Sequence, residues 1–71
     1  MKKGNNYTFT QIEEFASDKV YDIANLSHND TDVIGESFIV LRKDDNDITI
    51  SFILVGYEKD GYIYECIYSD L

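Results

Sequence analysis

His28, Asp30 and Asp32 stand at alternate positions of one short polar stretch, an imidazole and two carboxylates that would hold a divalent ion if the chain wrapped around it. A fourth ligand at metal spacing is not evident. Asn and Asp also gather in loops simply because their side chains bond to nearby backbone. No metal and no cofactor are therefore expected. Asp44-Asp45-Asn46-Asp47 offers oxygen ligands too, but a calcium loop counted from Asp44 needs Gly at its sixth position and Glu at its twelfth. Thr49 and Val55 stand there, so the segment reads as a turn.

Cys66 and His28 are the one thiol and the one imidazole of the chain. Cys66, however, falls inside an apolar run, where a cysteine acts as a small hydrophobe. Glu65 has no second carboxylate facing it for paired-acid catalysis. Gly4, Gly35, Gly56 and Gly61 are isolated, so no glycine-rich loop is available to cradle a phosphate. A non-enzymatic binding protein is expected. One arrangement points to recognition: Glu14, Asp18 and Asp22 recur at i, i+4 and i+8, with Tyr21 beside them. On a helix these carboxylates lie about 6 Å apart along the axis. Like charges at that spacing cost a few tenths of a kcal/mol per pair, yet such a row could engage a basic protein surface by imitating the phosphates of a nucleic acid.

The overall charge agrees with that direction. Fourteen acidic residues against six basic ones leave the chain at -8, with Lys2 and Lys3 in an expected flexible tail over residues 1–6. Direct nucleic-acid binding needs Lys and Arg to displace counterions and is disfavoured, as is an anionic membrane. A protein with a basic surface is the natural complement, although acidity also serves solubility alone. Met1-Lys2-Lys3-Gly4 opens no apolar leader, and the longest apolar stretch, Ile48 to Tyr57, is interrupted by Thr49 and Ser51. A cytoplasmic protein with a reduced cysteine is expected.

The elements that must position these residues follow from periodicity. Thr8 with Gln11 three residues on forms a capping box, and Tyr7 and Ile12 occupy the places of a hydrophobic staple. Ile12, Phe15, Ala16, Val20 and Ile23 then make one apolar face, which predicts a helix to about Asn25. Residues 27–32 read as loop. Beyond Glu36 the period changes to that of strands at residues 37–41, 48–55 and 62–68, with turns at residues 44–47 and at Asp60-Gly61. The fold expected is α+β: an N-terminal amphipathic helix packed on a three-stranded antiparallel β-meander (αβββ), one domain over residues 1–71.

Centring the first turn on Asp45-Asn46 predicts Leu41 opposite Ile50, Ile39 opposite Phe52 and Phe38 opposite Ile53. Placing Asp60-Gly61 at the second tip predicts Tyr57 opposite Tyr64, Val55 opposite Cys66 and Ile53 opposite Tyr68. Because side chains alternate faces, Ile39, Leu41, Ile50, Phe52, Leu54, Ile63 and Ile67 would bed the helix. Phe38, Val40, Ile53, Val55, Tyr57, Tyr62, Tyr64, Cys66 and Tyr68 would form the other face. One helix covers one face only. The second, tyrosine-bearing face is expected to meet another protein, most simply a second copy in a homodimer.

Overall fold

The structure, a computed structural model, describes residues 1–27, 33–44, 47–59 and 61–71. A short strand β1 (Asn6–Thr8) leads into helix α1 (Phe9–Lys19), followed by β2 (Asp22–Ser27), β3 (Ser37–Lys43), β4 (Ile48–Glu58) and β5 (Gly61–Ser69). The sheet is antiparallel, with spatial order β1-β5-β4-β3-β2. Five strands replace the expected three, so the meander reading is corrected, although the helix is indeed N-terminal. Strands β3, β4 and β5 fall where the alternating pattern put them; β1 and β2 extend the sheet at its two edges. Helix α1 links those opposite edges and touches β1, β5 and β2.

The helix begins as its residues dictate. Thr8 Oγ1 accepts from the Gln11 amide at 3.1 Å, and Gln11 Oε1 accepts from the Thr8 amide at 2.8 Å, a complete capping box. Ile12 and Ala16 point into the core. The helix ends at Lys19, well short of Asn25. Residues 22–27 pair instead with Ser37 to Arg42 of β3, which satisfies a backbone edge that a longer helix would have left open. Ile23 thereby changes from a helical position to a strand position opposite Leu41.

Val20 closes the helix in the left-handed region, at φ 60° and ψ 53°. There Cβ crowds the following carbonyl oxygen, at a cost of about 1–2 kcal/mol, and Val20 is 79% exposed, so burial offsets little of it. Val20→Gly is expected to raise stability by about 1 kcal/mol after allowing for the freedom glycine gives the unfolded chain. The urea midpoint measures this directly, and a lowered midpoint would contradict a left-handed helix end at this position.

Residues 1–6, expected as tail, lie along β5, with Asn6 as the first residue of β1 opposite Glu65. Gly4 donates to the Cys66 carbonyl at 2.8 Å, Cys66 donates to the Asn5 carbonyl at 2.9 Å, and Ser69 Oγ donates to the Met1 carbonyl at 2.9 Å. The core lies between α1 and the inner face of the sheet: Ile12, Ala16, Ile39, Leu41, Ile50, Phe52, Leu54, Tyr64 and Cys66.

The β3–β4 register is the expected one, with Leu41 opposite Ile50, Ile39 opposite Phe52 and Phe38 opposite Ile53. The β4–β5 register is not. Glu58 pairs with Gly61, so the turn sits one residue earlier than Asp60-Gly61 would place it, and Tyr57 faces Tyr62. The ladder then slips twice, with Val55 as an extra residue on β4 and Ile67 as an extra residue on β5. Each one-residue slip exchanges the faces of everything beyond it. Between the two, Tyr64 pairs with Leu54 and Cys66 with Phe52, and both turn to the helix side.

Candidate protein-interaction surfaces

Two surfaces of different character result, one on the helix layer and one on the opposite face of the sheet. On the helix layer, Glu14 and Asp18 remain one turn apart on α1 and exposed. Asp22 and Tyr21 do not continue the row, a correction that follows from the early helix end: Asp22 opens β2 opposite Arg42. The Tyr21 ring packs on Phe15 at 5.3 Å, and Lys43 Nζ lies 5.5 Å from its centroid. A three-carboxylate imitation of a phosphate run is therefore not built.

What the fold builds instead is an open cleft of about 660 Å³ between the N-terminal segment and α1, lined by Met1, Tyr7, Gln11, Glu14, Phe15 and Asp18 among others. The capping box fixes the angle at which β1 turns into the helix, and so sets Tyr7 beside the first turns of α1. The Tyr7 ring stands edge-on to Phe52 at 6.0 Å, and its hydroxyl accepts from the Lys2 amide at 3.0 Å. Phe15 is held from behind by Tyr21. Two aromatic rings and two carboxylates lining one open depression suit a cationic side chain, which gains from the ring faces and from the opposite charge. Reading the sequence found the carboxylates but missed Met1, Tyr7 and Phe15 as site residues. The staple position of Tyr7 was the available signal.

The second surface is the outer face of the sheet. By alternation from the buried residues, Phe38, Val40, Ile53, Ser51, Ile63, Glu65 and Tyr68 point away from α1. Val55 and Ile67 stand exposed at the two slips, each at 37%. Of the residues expected on this face, Phe38, Val40, Ile53 and Tyr68 are there. Tyr57, Tyr62, Tyr64 and Cys66 are not, because the slip at Val55 carries Tyr57 and the stretch of β5 from Tyr62 to Cys66 to the helix side. Tyr64 is 4% exposed and packs on Phe9. Tyr57 and Tyr62 contact each other edge-on, with centroids 5.0 Å apart, near the hairpin tip. The tyrosine face is thus a mixed face with one tyrosine, on which Phe38, Val40, Ile53 and Ile63 stand with Arg42, Glu58 and Glu65.

Tyr68 donates its hydroxyl to Asp70 Oδ1 at 2.5 Å, while Asp70 Oδ2 accepts from the Thr49 amide at 2.9 Å. These bonds hold the Asp70 carboxyl below the usual range and, with its charge, push the Tyr68 phenol above its own. Burial raises the Cys66 thiol, the reverse of what a nucleophilic cysteine needs. His28, Asp30, Asp32 and the centre of the residue 44–47 turn lie outside the described residues. Among the described residues no helix is long and apolar enough to cross a membrane. The chain matches no protein-family model, no curated protein and no solved structure.

Proposed function

We propose that the chain is a non-enzymatic protein-binding module that grips a basic protein surface through the cleft on its helix layer. The observation that supports this reading is the gathering of Glu14 and Asp18 beside the Tyr7 and Phe15 rings in one open cleft. A lysine or arginine reaching in would lie against the rings with its charge between the carboxylates. The net charge of -8 favours approach of a basic partner from a distance, screened within about 8 Å at physiological salt. Each exposed ion pair contributes roughly 0.2–1 kcal/mol, so the cleft acts as a selector of cationic side chains and leaves most of the affinity to the surrounding contact.

Titration with a short arginine-rich peptide, followed by nuclear magnetic resonance, tests this reading. Chemical-shift changes are expected to concentrate at Tyr7, Gln11, Glu14, Phe15 and Asp18. The double variant Glu14→Gln/Asp18→Asn should weaken binding roughly tenfold, the loss of about two exposed pairs. Shifts spread evenly over every acidic residue, or equal affinity in the double variant, would remove the cleft from consideration.

A further inference from the structure

We infer that the partner segment seated at the helix-layer cleft is charge-paired: it carries a cationic side chain for the cleft and, two residues along, a carboxylate for the basic depression beside it. The inference names the partner's chemistry more closely and rests on the reading of the cleft given above.

The observation behind it is a second depression of about 590 Å³, lined by Met1, Lys2, Lys3, Tyr7, Ser69 and Leu71. Met1 and Tyr7 also line the cleft that holds Glu14 and Asp18, so the two hollows adjoin across a shared wall. The charged side chains lining the cleft are both anionic, and those lining its neighbour are both cationic. Lys2 and Lys3 are two of the six cationic residues in a chain of net charge -8, and both stand here. Among the described residues no ion pair joins these lysines to Glu14 or Asp18, so neither sign is neutralised across the wall.

The wall itself is fixed. Gly4 donates to the Cys66 carbonyl and Cys66 to the Asn5 carbonyl, which ties the N-terminal segment to β5. Tyr7 pairs with Tyr64 in the sheet, and its hydroxyl accepts from the Lys2 amide at 3.0 Å and from Asn5 Nδ2 at 3.4 Å. The backbone thus holds Lys2 and Lys3 beside the cleft although their side chains are exposed. A dividing wall of this kind calls for opposite charges close together on one side of the partner. Residues i and i+2 of an extended segment meet that need, since they share a face and lie about 7 Å apart.

Selectivity follows from the signs. A chain at -8 draws in any polycation from a distance, but at the second place a further cationic side chain meets two lysines and is repelled. A carboxylate there is attracted, which strengthens binding by up to about fivefold, the worth of one exposed pair. Discrimination of this sort combines an attractive contact with a repulsive one. The total charge therefore favours a second arginine, whereas the local pattern favours a carboxylate, and the two can be told apart by the sign of the change in affinity.

The test is a nuclear magnetic resonance titration of the full chain at physiological salt with three peptides alike except at one place: an arginine followed two residues on by glutamate, glutamine or arginine. The glutamate peptide is expected to bind tightest, about three- to fivefold tighter than the glutamine peptide. Its shifts should reach Lys2, Lys3 and Ser69 as well as Gln11, Glu14 and Asp18. In Lys2→Gln/Lys3→Gln, which changes only exposed side chains and keeps the Lys2 amide on Tyr7, the preference for glutamate should vanish while the arginine still shifts the cleft. Equal affinity for the glutamate and glutamine peptides overturns the pairing, and so does a preference that the variant retains. Tightest binding by the peptide with two arginines overturns it as well, by naming a polycationic segment as the occupant. In each of these cases the cleft still answers to arginine and only the pairing falls. If no peptide shifts Glu14 or Asp18, the reading of the cleft has failed, and the pairing with it.

Discussion

Phe52→Ala is expected to leave the chain largely unfolded at room temperature. Phe52 lies in the middle of the central strand, fully buried, between Ile39 on β3 and Cys66 on β5, with the Tyr7 ring edge-on against it. Removing a buried phenylalanine ring costs about 3–5 kcal/mol, from lost transfer energy and from the cavity that remains. A chain of this length has about 4–10 kcal/mol in total, at roughly 0.05–0.15 kcal/mol per residue. The substitution therefore consumes most or all of the margin. Phe52→Leu, which keeps much of the volume, should cost far less and preserve a cooperative urea transition. Both are to be compared at one fixed protein concentration, since association would stabilise either variant by mass action. An alanine variant whose midpoint stays near the wild type would mean that this ring does not anchor the core.

The same residue marks how far the fold is legible in the sequence. Phe52 and its neighbours Ile39, Leu41, Ile50 and Leu54 are readable as inner-face residues, because strict alternation and a short polar turn fix the first hairpin. The capping box is equally local, and the helix start is read correctly from Thr8 and Gln11. The helix end is not. Ile23 continues the apolar stripe in sequence, and nothing local says that β3 will offer it a strand edge. Strand β1 has only three residues, too few for any pattern, and exists because β5 exposes its other edge. Both misses share one cause: a strand edge recruits backbone from elsewhere in the chain, and periodicity within a segment does not report that.

The candidate surfaces inherit these limits unevenly. Glu14 and Asp18 survive as an exposed pair because they depend only on the part of the helix that was read correctly. Asp22 and Tyr21 depended on a turn of helix that is absent. The outer face survives at Phe38 and Val40 of β3, Ile53 of β4 and Tyr68 of β5, and changes at Tyr57, Tyr62, Tyr64 and Cys66. An aspartate-glycine pair marks a turn, but which two residues stand at its tip, and whether the strands slip beyond it, depend on how the side chains pack.

Tyr64 and Tyr68 turn that last point into a measurement. They belong to one strand, four residues apart, and a regular ladder would put both on the same face; the extra residue at Ile67 separates them. Tyr64 is 4% exposed beside Leu54 and Phe9, whereas Tyr68 is 50% exposed with its hydroxyl on Asp70. Tyr64→Ala is expected to destabilise the chain by about 3 kcal/mol or more, as loss of a buried aromatic ring does. Tyr68→Ala should leave the urea midpoint of the monomer close to wild type, because a half-exposed ring on the outer face supports no core contact. Working at the lowest practical protein concentration keeps any contribution of Tyr68 to association out of the comparison. Similar losses at the two positions, or a larger loss at Tyr68, would show that β5 runs without slips and that its tyrosines share one face. The outer face would then be aromatic.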